Sequence, residues 1–450
     1  MLTIEGLIDD RPADGVFRVH RDVFTDEQIF VLEQQYIFEA TWVFLGLESQ
    51  APHPHDFFTT FAGRYPLVVM RGGDGRLRCV INSCRHKGAL LCRTQSGNKQ
   101  VHTCPYHSWA YDSTGKNVGI KARAIGAYGA GFDDEDHNLR PVAHFESYRG
   151  FLFASINPDV PPLREHLGDT TTFIDLVIDQ SPGGIETIPG DVTYVYDGNW
   201  KLQMENCGDG YHFTSAHASY LKLIEKRDAE SQDPGQWRVG RLAPEQASLP
   251  DRSHGSFAFR GGHSVLWSEE REQRANSPLF ASEAEITARV GAMRTRWMFG
   301  VRNLTIFPNM QLADNAAVQL RIIRPLAANK TEMRTFCVAP VGEPADARRR
   351  RIRQYEDFFN PSGLATPDDN VCYEDCQTGH GGGEWLQGYM RGLDILTHEP
   401  NRFAAELNIT PVANVTAKWG MHDETLFAAN YREWARLLRN GLEREPAGVA

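Results

Sequence analysis

The 450-residue chain is 41% apolar and 23% charged, which supports one large core or two moderate ones and excludes disorder and low complexity. Its formal charge of −11 argues against nucleic acid and against anionic membrane as the main partner. Apolar runs such as residues 67–70 fall far short of a membrane span, and residues 1–15 lack the basic and apolar stretches of a signal peptide. The expectation is therefore a cytoplasmic protein with no membrane association.

In chain order, Thr25 with Gln28 forms a capping box that predicts a helix carrying Ile29, Leu32 and Tyr36 on one face. After Trp42 the texture changes to short β-rich runs punctuated by glycine, such as FFTTFAG, YPLVVM and RLRCVIN. These continue to RGFLFASIN, which closes near residue 157. The DVPP stretch at 159–162 reads as a linker. Residues 197–220 finish a strand and turn helical, and NLTIFPNMQL and VQLRIIRP, within 303–325, predict two antiparallel strands. The arginines at 348–351 and Arg353 follow Pro344 and Asp346, with Ile352, Tyr355 and Phe359 at helical spacing. They predict an amphipathic helix with a solvated face rather than a nucleic-acid patch. Residues 423–440 predict a helix with Leu426, Trp434 and Leu437 inward and Gly441 as its stop. The fold class is α+β. A small all-β domain over 42–157 is inserted into a larger α+β domain made of 1–41 and 158–450, with a central antiparallel sheet flanked by helices.

Of eight cysteines, Cys79, Cys84, Cys92 and Cys104 crowd into 26 residues (79–104), too few and too local for a disulfide framework. Cys84 and His86, then Cys104 and His107, spell C-x-H, seventeen residues, C-x-x-H. A Rieske [2Fe–2S] centre needs this mixed set, two thiolates on one iron and two imidazoles on the other, which raises the potential above that of an all-cysteine cluster. Zinc also takes two cysteines and two histidines, but its ligand pairs normally have at least two residues between them, so the C-x-H pair favours the cluster. Gly88 and Pro105 suit tight loops. Cys79 and Cys92 read as small core residues.

Further on, Asp209, His212 and His217 form D-x-x-H-x4-H. Asp209 and His212 are three apart, as neighbours on a helix face would be. His212 and His217 share a metal only if the helix loosens between them, for which Thr214 and Ser215 are suitable. Two imidazoles and one carboxylate make the facial triad of a non-haem Fe(II) site, with open positions for O2. The missing carboxylate is sought in SGLATPDDN at 362–370, where Thr366 and Pro367 also look like a helix start whose dipole Asp368 and Asp369 would merely favour. Cys372 and Cys376 read as packing, His380 with the glycines at 381–383 as a flexible loop, and His263 as a satisfied structural histidine.

With these motifs, and with the phrases NSCRHKGALLCR, YRGFLF, VIDQSPGG, YVYDGNWKLQMEN, RIIRPLA and RIRQYEDFFNPSGLATPDD, the chain resembles a known family along nearly its whole length. The family is the large (alpha) subunits of Rieske non-haem iron aromatic-ring-hydroxylating dioxygenases, and the chain looks closest to the benzoate, toluate, anthranilate and 2-halobenzoate 1,2-dioxygenase group. The resemblance implies a [2Fe–2S] cluster on Cys84, His86, Cys104 and His107, and a mononuclear Fe(II) on His212, His217 and Asp369. It also implies that Asp209 bridges the two centres across a subunit boundary and that Asn206 sits near the iron. The implied reaction is hydroxylation of a small aromatic carboxylate with O2, most directly cis-1,2-dihydroxylation of a benzoate-type ring. A related monooxygenase such as a salicylate hydroxylase shares every motif. Electrons would come from NAD(P)H through a separate flavin/iron–sulfur reductase, since no G-x-G-x-x-G fingerprint accompanies the motifs. A small β subunit would complete an α3β3 hexamer, with an α3 trimer as the alternative. Two departures are visible: Ser108 stands where the family has glycine, and YHFTSAHASYLKLIEKRD after Asp209 differs from the benzoate group's phrase.

Overall fold

Leu67, Val68, Val69 and Met70 form an uninterrupted apolar run in the strand Tyr65–Arg71. Successive side chains on a strand point to opposite faces, so such a run must be covered on both. Leu67 and Val69 pack with Val43, Leu45, Phe58 and Leu152, and Val68 and Met70 with Phe57, Trp109 and Tyr111. The computed structural model describes residues 4–230, 254–269, 274–315, 317–417 and 421–444. The chain divides into two units, Phe38–Leu163 and the remainder. In the smaller unit Tyr65–Arg71 lies between Leu77–Ile81 and Asp56–Ala62 in a four-stranded sheet edged by Ser96–Asn98. A second sheet joins Val43–Leu47, Phe151–Ser155 and His144–Tyr148, and a third joins Val101–Thr103, Ala110–Asp112 and Asn117–Gly119. Among the described residues no α-helix interrupts this unit before Leu163.

The larger unit is built on a nine-stranded antiparallel sheet. Its order runs Ile185–Thr187, Lys330–Pro340, Val318–Ala327, Met310–Asp314, Val301–Ile306, Ser264–Ser268, His254–Ala258, Ala413–Ala417, with Val192–Tyr196 also paired to Lys330–Pro340. Residues 303–325 therefore supply three strands rather than two. NLTIFPNMQL folds back on itself at Pro308, which has no N–H for a ladder, and Ile306 pairs with Met310. Helix Trp200–Asn206 is tied to the sheet by Gln311, whose Nε2 donates to the carbonyls of Gln203 and Met204.

Two helix ends and two helix faces differ from expectation. Asp26, not Thr25, caps Glu27–Glu33: its extended backbone lets Oδ1 accept from the N–H groups of Gln28 and Ile29, while Thr25 ends the preceding turn. The last helix, Thr425–Arg444, runs through Gly441, where a Cβ would stand 2.2 Å from the Tyr36 ring. This glycine permits close packing and is no stop. On the same helix Leu438, rather than Leu437, is the fully buried position. In Ala345–Phe358 the arginines are not all solvated, since Arg351 is buried against Glu343. Among the described residues no helix is long and apolar enough to cross a membrane.

Candidate metal centres

The two loops of the smaller unit are built alike. The Cys84 N–H donates to the Ala89 carbonyl and the Cys84 carbonyl accepts from Gly88. Cys104 does the same with Trp109 and Ser108. Each loop thus closes four residues beyond its cysteine, and there the backbone turns left-handed, with φ 75° at Gly88 and 62° at Ser108. Glycine accepts this freely, whereas serine bears a steric cost. The tips bring both thiols into one buried cluster and set the His86 and His107 rings 4.5 Å apart. His86 stacks on Trp109 at 5.0 Å, and the Cys84 Sγ lies 3.4 Å from the Tyr111 hydroxyl, which also accepts from the Arg85 N–H. The His86 Nδ1 is buried without a hydrogen-bond partner, as a donor atom aimed at a metal would be.

Zinc would gather its ligands around a single ion. Among the described residues the one trio whose ligand atoms all lie within 4.8 Å is His212, His217 and Asp369. Cys79 is buried in the core as expected. Cys92 is buried too, and its Sγ lies 3.2 Å from Nδ1 of the buried His102.

In the larger unit Asp209 and His212 meet, but not on a helix face. Helix Trp200–Asn206 ends, Asp209 Oδ1 accepts from the Tyr211 N–H, and this turn sets Asp209 Oδ2 3.3 Å from His212 Nδ1. A single turn, Phe213–Ala216, separates the histidines, and the helical path breaks at His217 rather than at Thr214 and Ser215. Asp369, in the first turn of Thr366–Gly379, places Oδ1 3.4 Å from His212 Nε2 and 3.3 Å from His217 Nε2. The Asn206 Nδ2 lies 3.2 Å from the same oxygen and 3.3 Å from His212 Nε2. Burial disfavours charge on His212, yet Asp209 and Asp369 together draw its pKa above the ordinary value.

Adjacent Asp368 has a place that sequence reasoning did not assign: its Oδ2 lies 3.4 Å from His217 Nδ1. Each histidine thus has a carboxylate at Nδ1 and turns Nε2 toward Asp369. Carboxylates so placed fix tautomer and ring orientation in metal-binding histidines. This trio fits a single ion. Its apolar flank includes Phe213 and Phe358, whose rings lie 5.6 and 6.0 Å from that of His217. His263 is satisfied on both nitrogens, by the Phe307 N–H and the His166 carbonyl. His380 is buried beside Phe24, so it is no flexible loop, and Cys372 and Cys376 are exposed rather than packed.

Two family models match the chain: the Rieske [2Fe–2S] domain over residues 41–128, and the ring hydroxylating alpha subunit (catalytic domain) over 187–402. Toluate 1,2-dioxygenase subunit alpha of Pseudomonas putida is 40% identical, covering 98% of this chain and 95% of that relative. The 2-halobenzoate 1,2-dioxygenase large subunit of Burkholderia cepacia and the anthranilate 1,2-dioxygenase large subunit of Acinetobacter baylyi are each 39% identical, over 98% of this chain and 94% of theirs. Among solved structures, naphthalene 1,2-dioxygenase from Rhodococcus sp. bound to indole superposes with a TM-score of 0.79 at 25% identity, over 95% of both chains.

Proposed function

The chain belongs to the large subunits of Rieske ring-hydroxylating dioxygenases, in the group of the toluate, 2-halobenzoate and anthranilate enzymes, and from that premise we propose that its substrate is a benzoate-type aromatic carboxylate. The family's cofactors are a Rieske [2Fe–2S] cluster and a mononuclear iron. Cys84 and Cys104 are assigned to one cluster iron and His86 and His107 to the other. His212, His217 and Asp369 are assigned to the mononuclear iron, and their convergence is the observation that carries the reading. Bound there, the cluster supplies single electrons, and the iron supplies open positions at which O2 reacts.

The chain's own residues then have distinct tasks. Asp368 accepts from Nδ1 of His217, and the Asp209 carboxylate stands 3.3 Å from Nδ1 of His212, so that each ring would offer its Nε2 lone pair to the iron. Asn206 stands at the edge of the trio, and Phe213 and Phe358 keep its flank dry. Asp209, only partly buried, is the carboxylate proposed to meet His107 of a neighbouring subunit and to link the two centres. The assembly is an α3β3 hexamer with a small β subunit, consistent with the relatives' names as alpha or large subunits. Electrons come from NAD(P)H through a separate reductase.

The test is NAD(P)H-coupled O2 uptake with the reductase present. Benzoate, 2-halobenzoates, anthranilate or salicylate should stimulate it and at least one should yield a cis-dihydrodiol acid, while naphthalene should not. Turnover of naphthalene with none of these acids would overturn the reading.

A further inference from the structure

Three of the described arginines are more than nine-tenths buried: Arg302, Arg321 and Arg351. Arg302 is paired with Asp314 and Arg351 with Glu343. Among the described residues Arg321 has no carboxylate in ion-pair contact, and of its five donors only Nε–H finds an acceptor, Gln319 Oε1 at 2.6 Å. A buried cation without a counter-charge is strongly disfavoured, so a position that keeps one is built for an anion that arrives from outside.

The location says which anion. Arg321 lies in strand Val318–Ala327, opposite Gln311 on one neighbour and Thr335 on the other, on the sheet that Gln311 ties to helix Trp200–Asn206. Two rings connect it to the metal trio: Phe359, beside its guanidinium, meets Phe358 edge-on at 4.9 Å, and Phe358 lies 6.0 Å from the His217 ring. Asp369 makes no ion pair with it and turns its Oδ1 to both histidines. The Phe359 ring lies 5.6 Å from the guanidinium carbon. The side chain is also held in place: Gln319 donates to Tyr355 Oη and Asn360 Oδ1, Thr335 donates to the same Asn360 oxygen, and Gln319 Oε1 is left to fix Arg321 Nε.

We propose that Arg321 binds the carboxylate of the aromatic substrate, its Nη1 and Nη2 hydrogens pairing with the two carboxylate oxygens beside His212, His217 and Asp369. The inference rests on the aromatic-acid reading above and adds the residue that enforces it. A planar fork matches a carboxylate in a way an ammonium does not. A neutral arene would leave the buried charge unpaired, and this penalty selects acids over hydrocarbons.

The test uses the metal-loaded oxygenase, with benzoate and its neutral counterpart benzamide as probes in equilibrium binding. Cluster absorbance and iron content serve as controls for folding. Arg321→Gln should weaken benzoate binding on the order of 100-fold and change benzamide binding little. If that variant does not load its metals, Arg321→Lys is read instead, and it should raise KM for benzoate at least about tenfold with a smaller change in kcat. Wild-type benzoate affinity or KM in the variant so read overturns the assignment of Arg321. Wild-type enzyme that binds toluene but neither benzoate, salicylate nor anthranilate overturns the aromatic-acid reading itself.

Discussion

At the cluster loops all four donors come from two turns between residues 84 and 107, each closed by its own backbone hydrogen bonds. At the trio, His212 and His217 come from an interrupted helical segment, while Asp369 comes from a helix that begins at Thr366. The first centre needs two hairpin tips to form. The second needs two distant segments to dock on one sheet and two further carboxylates to aim the histidines. Damage should accordingly stay local at the cluster and depend at the trio on which carboxylate is touched.

The largest expected effect separates the centres outright. Asp369→Ala should lose the mononuclear iron and all turnover while keeping the cluster's visible spectrum, measured as iron content against absorbance. Loss of cluster colour with retention of mononuclear iron would reverse the assignment. The companion change Asp368→Asn keeps the shape but weakens the hold on His217 Nδ1, and should lower iron affinity or activity by roughly 10- to 100-fold. An effect as complete as that of Asp369→Ala would mean the two acids share the metal.

The link between centres is tested by complementation. A Cys104→Ser subunit should lack the cluster and a His212→Ala subunit the mononuclear iron, and each should be inactive alone. Co-assembled, they should regain partial activity, because a whole cluster would then face a whole iron across a subunit boundary through Asp209. Mixed assemblies that form and stay inactive would place electron transfer within one chain.

The smallest effect sharpens the likeness of the two loops. Ser108 holds the left-handed position that Gly88 holds in the other. Ser108→Gly should stabilise the cluster unit by about 1 kcal/mol at most, since relief of the steric cost is offset by the greater unfolded-state freedom of glycine. The measurement is the denaturant midpoint for loss of visible absorbance. A lower midpoint would show that the Ser108 side chain earns its place by other contacts.

How much could be read in advance follows from the range of each determinant. Alternation and glycine punctuation act over a few residues, so the β-rich texture from Trp42 onward and the paired cysteine–histidine turns were legible as such. The capping of Glu27–Glu33 was misplaced by one residue because Thr25 and Asp26 both offer a side-chain oxygen, and only the backbone angles at Asp26 choose between them. NLTIFPNMQL was read as one strand because its apolar pattern continues through the turn at Pro308. Gly441 looked like a stop because nothing local reveals that Tyr36 packs against it.

By itself the sequence determined the α+β class, the spacing of the paired cysteine–histidine turns, and the D-x-x-H-x4-H segment that carries His212 and His217. These depend on chain-local periodicity and on chemistry carried within one short segment. Only the tertiary structure distinguished the neighbouring acids, setting Asp369 on both Nε2 atoms and Asp368 on His217 Nδ1, and only it buried Arg321 with no carboxylate in ion-pair contact. In RIIRP, Arg321 and Arg324 are alike as letters. Strand alternation places them on opposite faces, one in the interior and the other half-exposed on Glu332, and the meaning of a buried charge depends on what the rest of the fold brings to meet it.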